Sequence, residues 1–373
     1  MKFIFTCGGT AGHINPAIAV AGRLKELMPG TEILFIGANN KMEMELVPRE
    51  GYDIKGLTVG NLRRSLSPKA IAHNINSIKN VFVSYADAKR IIKEFKPDVV
   101  IGTGGYVCYP VLKAASDLKI PTVVHESNAV PGLTTKMLAD KASRILVGFE
   151  ESRQYYKHPE KIEVTGTPVR GAFDSFTKAE ARAKLGLRED EKLVVSVWGS
   201  LGAGHLNSVM QELIPMLDGK QGFKFIHAAG SRYYKGFMEA LAPCADKLQD
   251  MGVDVREYIY DMPCVMAAAD LILCRAGAST ISELCYMAKP VIMVPSPNVT
   301  NGHQEKNARV LERAGGAKLL LEGEFTAESL LCDIKALLSD SDKLEAMSRS
   351  MRALAVPEAT DRISGIVLEL SGK

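Results

Sequence analysis

The sequence has 373 residues, of which 46% are hydrophobic and 24% charged, and a formal net charge of +3. This length exceeds one ordinary domain and fits two domains of about 150–200 residues each, and the balanced composition excludes a disordered, collagen-like or coiled-coil chain. The longest run without a charged residue, His, Asn or Gln covers residues 99–112, which is shorter than the roughly 20 apolar residues of a bilayer-spanning helix.

The N-terminal half predicts alternating strands and helices. An apolar strand at Phe3–Cys7 is followed by the glycine-rich loop Gly8–Gly12 and a helix over residues 15–28, in which Pro16 suits the first turn. Further strand-like runs, separated by helical patterns, lie at residues 32–37, 99–102, 122–125 and 145–147. This alternation predicts a parallel sheet with right-handed crossovers.

The C-terminal half repeats the plan. An apolar strand at Leu193–Trp198 leads into the glycine-rich loop Gly199–Gly204 and a helix over residues 206–217. Further strands are predicted at residues 224–228, 253–258, 271–274 and 291–294. The fold class is therefore α/β, with two Rossmann-like domains, residues 1–165 and 166–357, joined by a hinge near Gly166. An amphipathic helix within residues 358–373 is expected to pack back on the first domain.

Cysteine usage indicates a reducing compartment. The seven cysteines are odd in number, and no two have C-x-x-C spacing. After Lys2 only Phe3–Phe5 is strongly apolar, which is too short for the hydrophobic core of a signal peptide. We therefore expect reduced thiols in a cytoplasmic protein.

Positive charge is concentrated in one segment. Residues 61–96 hold eight basic side chains against Asp87 and Glu94, interleaved with apolar residues at helical spacing. Such a pattern predicts an amphipathic element on an anionic membrane surface, and nucleic-acid binding is less favoured because no aromatic stacking platform accompanies the charge. The side chains expected to contact the membrane include Arg63, Arg64, Lys69 and Lys79.

The glycine-rich loops predict a phosphate-bearing ligand. A glycine-rich turn between a strand and a helix lets backbone amides and the helix dipole face an anion. Gly8–Gly12 and Gly199–Gly204 occupy equivalent places in the two halves, and neither is a Walker A loop. A second pair of loops, residues 102–106 and 275–279, follows other strands. Together they favour a ligand held in a cleft between the domains.

Two acidic motifs each have a structural interpretation. Thr280 and Glu283 match a capping box, but the Glu283 carboxylate also suits the two hydroxyls of a ribose, and both interpretations remain open. Asp340-Ser341-Asp342 is the only D-x-D motif, and it precedes an apolar-periodic helix. We therefore expect it to cap that helix, and we predict neither a metal nor another cofactor.

Seven motifs resemble one family of bacterial transferases in sequence and order. They are GGTAGHINP (8–16), GGY (104–106), HESN (125–128), GTPVR (166–170), GSLGA (199–203), CRAGASTISE (274–283) and HQEKNA (303–308). That family moves N-acetylglucosamine from UDP-N-acetylglucosamine to the 4-hydroxyl of undecaprenyl-diphospho-N-acetylmuramoyl-pentapeptide (lipid I), giving lipid II of peptidoglycan. The resemblance covers nearly the whole chain and implies a glycosyltransferase B-type fold, in which two domains face each other across a cleft.

The resemblance implies a donor site mainly in the second domain, residues 166–357. It places the diphosphate at Ser200 and the loop amides, the ribose at Glu283 and the sugar hydroxyls at Gln304. The implied donor-binding residues are Thr10, Ala11, Gly12, Asn128, Arg170, Ser200, Ile259, Met262, Ala278, Ser279, Thr280, Ile281, Ser282, Glu283 and Gln304. The sequence departs from the family at Thr167, often Asn, and at Leu201, often Gln. The second departure removes a polar group from the diphosphate loop.

The first domain, residues 1–165, would bind the acceptor and the membrane. The implied acceptor-binding residues are Gly104, Gly105 and Tyr106. The implied reaction is a single inverting displacement, which needs a base for the acceptor hydroxyl. His13 is the first candidate because the positive end of a helix dipole favours neutral imidazole; the alternatives are acceptor binding or helix capping. Glu126 is a second candidate base that would otherwise orient a loop.

The implied acceptor carries a long polyprenyl lipid. This predicts peripheral attachment to the cytoplasmic side of the cell membrane through anionic phospholipid, with other cell-wall synthesis proteins as candidate partners. Three alternatives remain: a related UDP-sugar glycolipid glycosyltransferase, a UDP-N-acetylglucosamine 2-epimerase, and a non-catalytic nucleotide-sugar sensor that would not depend on His13.

Overall fold

The computed structural model describes residues 1–60, 68–169, 171–199, 201–299 and 302–372, with the side chains of residues 68–79 and 172 left out. The chain divides into two compact units. Unit 1 comprises Met1–Arg170 with Val356–Lys373, and unit 2 comprises Gly171–Ala355. Each unit has a parallel sheet with intervening helices, so the predicted α/β class with two Rossmann-like domains is confirmed.

The described residues of unit 1 form seven strands. These are β1 (Lys2–Cys7), β2 (Glu32–Ala38), β3 (Asp53–Leu57), β4 (Val99–Gly104), β5 (Thr122–Glu126), β6 (Arg144–Val147) and β7 (Ile162–Val164). They are parallel in the order β3-β2-β1-β4-β5-β6-β7. The order reverses between β1 and β4. In open α/β sheets such a reversal leaves a crevice at the carboxyl ends of the two strands, where ligands bind.

In unit 2 the part of the chain that the structure describes forms six strands, with the same kind of reversal. They are β8 (Lys192–Val197), β9 (Phe223–Ala228), β10 (Val253–Arg256), β11 (Leu271–Cys274), β12 (Val291–Met293) and β13 (Ala317–Leu319). They are parallel in the order β10-β9-β8-β11-β12-β13, so the reversal lies between β8 and β11. The two reversal points fall at the glycine-rich loops that follow β1 and β8.

Helices connect the strands in both units. They are α1 (Ala11–Leu27), α2 (Glu43–Arg49), α3 (Pro68–Phe95), α4 (Cys108–Asp117), α5 (Leu133–Ala139), α6 (Lys178–Lys184), α7 (Gly204–Leu213), α8 (Tyr234–Ala240), α9 (Met262–Ala268), α10 (Ala278–Tyr286), α11 (His303–Arg313), α12 (Ala327–Ser339), α13 (Ser341–Ala353) and α14 (Ala359–Leu370). The C-terminal helix α14 packs on α1 through buried Ile363 and Val367. The exposed pair of Arg23 and Asp361, 2.5 Å apart, joins the same two helices but adds little stability.

One sequence expectation about α1 is wrong. The helix begins at Ala11, four residues before the predicted start, because Thr10 already has the extended backbone of an N-cap residue (φ −148°, ψ 152°). Pro16 is therefore inside the helix rather than in its first turn. Its missing N–H removes one intrahelical hydrogen bond.

The expectation about the D-x-D motif is confirmed. Asp340 accepts a hydrogen bond from the backbone amide of Lys343 at 2.9 Å, so the D-x-D motif caps α13. All seven cysteines are free thiols, and five of them are buried.

Within the ranges that the structure describes, no helix has the length and apolarity needed to cross a bilayer.

Candidate active site

The loops after β1 and β4 interlock at the reversal point of unit 1. The backbone amide of Gly8 donates to the carbonyl oxygen of Gly104 at 3.1 Å. A Cβ atom on Gly105 would lie 2.4 Å from the carbonyl oxygen of Gly8, and Gly105 also has a φ of +94°. Both the close approach and the backbone angle require glycine. The predicted acceptor-binding residues therefore border the glycine-rich loop.

His13 lies in the first turn of α1, against this pair of loops. Its Nδ1 is 2.9 Å from the carbonyl oxygen of Gly8 and 3.3 Å from the hydroxyl of Thr10. Because a carbonyl oxygen can only accept, Nδ1 carries the hydrogen in the neutral ring, and Nε2 keeps its lone pair. This is the tautomer that a general base acting through Nε2 requires.

Glu126, at the end of β5, has both carboxylate oxygens engaged. One oxygen accepts from the backbone and side-chain amides of Asn128, at 3.1 and 2.9 Å. The other accepts from the Gly132 amide at 2.9 Å and the Thr135 hydroxyl at 2.8 Å. With only 5% of its surface exposed, Glu126 is held as a brace for the loop that carries Asn128.

His125 supports a different segment. Its Nε2 donates to the carbonyl oxygen of Gly166 at 3.0 Å, in the GTPVR motif. Burial lowers the pKa of this imidazole, so His125 is neutral at pH 7. The side chain therefore acts as a fixed hydrogen-bond donor between β5 and the segment after β7.

Sequence reasoning missed Glu43, at the start of α2. This fully buried carboxylate accepts from the backbone amides of Gly9 at 3.0 Å and Ala38 at 2.9 Å. It thereby ties the glycine-rich loop to the end of β2. No local pattern in the sequence marks the residue, because its partners are backbone groups brought close only by the sheet.

Unit 2 has a cavity of about 670 Å³ at the carboxyl ends of β8 and β11. The glycine-rich loop after β8 forms one side. The predicted donor-binding residues that line it are Met262, Thr280, Glu283 and Gln304. Five more predicted residues, Ile259, Ala278, Ser279, Ile281 and Ser282, lie on neighbouring segments of unit 2 but are not among the lining side chains. Thr10, Ala11, Gly12 and Asn128 belong to unit 1.

The capping-box interpretation of Thr280 and Glu283 is wrong. Helix α10 begins at Ala278, and Gly277 occupies the N-cap position without any side-chain cap. Thr280 is consequently inside the first turn, and both it and Glu283 line the cavity. Burial and the nearby Glu283 charge raise the pKa of the Cys274 thiol to about 12. The wall of the cavity beside Glu283 thus contains a protonated thiol.

Gln304 has a fixed orientation in the first turn of α11. The backbone amide of Ser296 donates to its Oε1 atom at 2.8 Å. Because that oxygen is occupied, the side-chain amide nitrogen is the group that Gln304 can offer to a ligand. A donor in this position suits the oxygen of a sugar hydroxyl or amide.

Three further cavity residues form a cluster that sequence reasoning did not identify. Arg275 contacts the carboxylate of Glu322 at 2.5 Å and the carbonyl oxygens of Val294 and Pro295 at 3.2 Å each. The other oxygen of Glu322 is 3.6 Å from Nδ1 of His205. Arg275 and Glu322 are 14% and 15% exposed, and His205 is 49% exposed at the start of α7. The sequence signal that could have pointed to this cluster is the position of a histidine directly after a glycine-rich loop.

Several predicted residues lie outside the described part of the chain. These are Arg63, Arg64, Arg170 and Ser200, together with the side chains of Lys69 and Lys79. Among the residues that the structure does describe, no three His, Cys, Asp or Glu side chains are grouped so that they could hold a metal ion.

The fold and the cavity define a class of protein. Two Rossmann-like units, each with a glycine-rich loop at the reversal point of its sheet, and a polar cavity of nucleotide-sugar size are the features of a glycosyltransferase with the B-type fold. Residues 3–147 match the N-terminal domain of glycosyltransferase family 28, and residues 193–363 match its C-terminal domain.

Named relatives cover the chain from end to end. A protein of Acetivibrio thermocellus is 43% identical over 99% of this chain and 98% of its own length, and one of Thermoanaerobacter sp. is 41% identical over the full length of both. Both are named "UDP-N-acetylglucosamine--N-acetylmuramyl-(pentapeptide) pyrophosphoryl-undecaprenol N-acetylglucosamine transferase". The crystal structure of Acinetobacter baumannii MurG superposes with a TM-score of 0.76, at 26% identity over 99% of both chains. The chain belongs to glycosyltransferase family 28 and is a UDP-N-acetylglucosamine-dependent hexosyltransferase.

Proposed function

We propose that this chain transfers N-acetylglucosamine from UDP-N-acetylglucosamine to the 4-hydroxyl of undecaprenyl-diphospho-N-acetylmuramoyl-pentapeptide, forming lipid II for peptidoglycan. The observation that carries the proposal is the cavity of unit 2. It brings Glu283, Gln304 and the glycine-rich loop after β8 around one space, in a chain that matches named transferases over its full length.

Donor binding follows from the chemistry of the cavity lining. The amides of the loop Gly199–Gly204 and the positive end of α7 suit the diphosphate. The Glu283 carboxylate can accept both ribose hydroxyls, and the amide nitrogen of Gln304 can donate to the sugar. Arg170 and Ser200 complete the donor site that the family motifs imply.

The reaction is a single displacement. The acceptor 4-hydroxyl oxygen forms a bond to the anomeric carbon while the bond from that carbon to the diphosphate oxygen breaks, and its electron pair leaves with UDP. The hydroxyl proton passes to a base, and we assign this role to Nε2 of His13, which keeps a lone pair because Nδ1 donates to Gly8. Glu126 instead braces the Asn128 loop with both oxygens. Inversion at the anomeric carbon follows from the one-step path.

Membrane attachment is assigned to one surface of unit 1. Helix α3 packs on α4, and α4 packs on α5. Large apolar side chains are exposed on the outer helices, namely Phe82 at 70%, Val83 at 48%, Leu133 at 57% and Met137 at 50%. Lys136 is an exposed basic residue on α5, and the sequence implies Arg63 and Arg64 as further membrane-binding residues. Apolar side chains beside basic ones suit an anionic phospholipid surface.

The test of this function is a direct transfer assay. The chain is incubated with labelled UDP-N-acetylglucosamine and a short-chain lipid I analogue, and the product is analysed for a labelled disaccharide lipid and free UDP. Label on a diacylglycerol acceptor, with none on the lipid I analogue, would indicate a different glycolipid transferase. Conversion of the nucleotide sugar to its 2-epimer without acceptor would indicate an epimerase, and binding without turnover would indicate a sensor.

A further inference from the structure

The described residues that line the donor cavity carry little positive charge. Of the described residues that line it, only Arg275 and His205 can be cationic, whereas Glu283 and Glu322 are acidic. Yet the departing UDP gains one negative charge as its bond to the sugar breaks. Charge that develops on a leaving group is best stabilised by a fixed donor in the site.

The guanidinium group of Arg275 is already paired with groups of the protein. Its Nη1 atom contacts Glu322 at 2.5 Å and the carbonyl oxygens of Val294 and Pro295 at 3.2 Å each. The guanidinium side chain is also only 14% exposed, so its charge is largely compensated by Glu322. Its effect is to fix the Glu322 carboxylate in one place, with the second oxygen 3.6 Å from Nδ1 of His205.

We propose that His205, oriented by Glu322, hydrogen-bonds through Nε2–H to the diphosphate of the donor and stabilises the charge that develops on it as UDP leaves. This assignment rests on the proposed function. When both ring nitrogens are protonated, Nδ1–H faces the Glu322 carboxylate across 3.6 Å and Nε2–H is available to the ligand. His205 stands at the first turn of α7, next to the amides of the glycine-rich loop, which face the same anion.

His205, Glu322 and Arg275 have separate roles in the step that breaks the bond between the sugar and UDP. The electron pair of the sugar–oxygen bond goes to a β-phosphate oxygen, and Nε2–H of His205 donates a hydrogen bond to the diphosphate without transferring its proton. Glu322 remains ionised and keeps the imidazolium in place, and Arg275 remains bound to Glu322. No co-reactant is required, and the hydroxyl proton of the acceptor leaves by the separate base.

This role also compensates for Leu201. The family often has a glutamine there, whereas Leu201 is 60% exposed and cannot donate a hydrogen bond. A histidine four residues later, in the first turn of α7, restores one donor beside the same loop. The apolar side chain at Leu201 and the hydrogen-bond donor at His205 are therefore two features of one diphosphate site.

The experiment compares His205→Ala and His205→Gln with His158→Ala in the full chain. His158 is a suitable control because it is also a half-exposed histidine beside two carboxylates, Asp140 at 3.6 Å and Glu160 at 3.2 Å, but belongs to unit 1. The kcat and the donor KM are measured at saturating acceptor, the melting temperature is recorded for each variant, and UDP binding is followed by calorimetry.

We expect His205→Ala to lower kcat about 30-fold with less than about a threefold change in donor KM, since one charge-assisted hydrogen bond strengthens on the way to the transition state. His205→Gln, which keeps a donor, should recover part of that loss. His158→Ala should match the parent. A kcat for His205→Ala within twofold of the parent, or a rise in KM alone, would overturn the proposal.

The split between kcat and donor KM, together with the partial recovery in His205→Gln, separates this role from a structural one. If the parent neither binds UDP nor transfers the sugar, the proposed function itself fails.

Discussion

A Cβ atom on Gly104 would lie 2.8 Å from Nε2 of His13. The nitrogen that we assign as the base therefore has room only because residue 104, at the end of β4, is a glycine. Gly104 also has a φ of +126°, which a side chain rarely adopts. Two glycine-rich motifs that lie almost a hundred residues apart in the sequence therefore contribute to one site.

Gly104→Ala should lower kcat at least about tenfold, because the methyl group must displace the imidazole from its position against Gly8. UDP affinity, which depends on unit 2, should be unchanged in calorimetry. Gly51→Ala is the matched control, since Gly51 has a φ of +78° but no atom near its Cβ position. Equal kcat losses in the two variants would mean that backbone strain, rather than the imidazole, is responsible.

His13→Gln should lower kcat about 100-fold or more, as expected when a general base is removed. The glutamine can still contact the Gly8 carbonyl oxygen, so binding of both substrates should change little. Steady-state kcat and the KM values for donor and acceptor measure both effects. A variant that loses only acceptor affinity would show that His13 binds the acceptor instead.

Glu283→Ala should reduce kcat/KM for UDP-N-acetylglucosamine about 10- to 100-fold, because hydrogen bonds to a charged group contribute about 1.5–3 kcal/mol. The acceptor KM should stay the same. Glu239→Ala provides the comparison, since Glu239 is an exposed glutamate of unit 2 on α8, outside the cavity. Unchanged donor kinetics for Glu283→Ala would remove the ribose contact.

The sequence predicted the central strands of both sheets but not three short ones. The buried strands β1, β2, β4, β5, β8 and β11 were all expected, because each is a continuous apolar run. The missed strands β3, β7 and β13 are edge strands, and each has partly exposed residues. Edge strands face solvent on one side, so their apolar signal is weak.

The sequence predicted those site residues that lie close in the chain to another residue of the same motif. Thr280 and Glu283 share one helix, and His13 follows its glycine-rich loop directly, so motifs could indicate them. By contrast, Glu322 lies 47 residues after Arg275 and meets it only because β11, β12 and β13 pair side by side. No pattern of residue spacing in the sequence indicates such a contact. The capping box failed for a related reason: Gly277 starts the helix earlier than its side-chain pattern suggests.

Met137→Asp, on the exposed face of α5, should weaken binding to vesicles of anionic phospholipid about tenfold. Met137 is 50% exposed, so a charge there opposes insertion without disturbing the core. Leu27→Asp is the control, because Leu27 is a similarly exposed apolar residue at 41% on α1 of the same unit. Co-sedimentation measures both variants. Equal losses would assign the effect to charge alone, and no loss would remove α5 from the membrane surface.

His227 should make the chain less stable in mild acid. It is fully buried on β9, with Nδ1 2.6 Å from the Ser196 hydroxyl and its ring 4.6 Å from that of Phe237. Burial lowers its pKa to about 3, from an ordinary value of about 6.5. Between these values the unfolded chain binds a proton that the folded chain does not. Stability is therefore unaffected above about pH 6.5 and falls by up to about 1.4 kcal/mol per pH unit below it.

His227→Phe keeps the ring but cannot titrate. At pH 7 it should be somewhat less stable than the parent, because the Ser196 hydroxyl loses the imidazole partner and keeps only the Met210 sulfur at 3.7 Å. Between pH 7 and pH 5, however, its free energy of unfolding should fall by about 2 kcal/mol less than that of the parent. His125, which is also buried and neutral, contributes equally to both proteins and cancels in the comparison. Urea unfolding curves at pH 7, 6 and 5 measure this difference, and parallel losses in the two proteins would show that His227 is protonated without cost in the folded state.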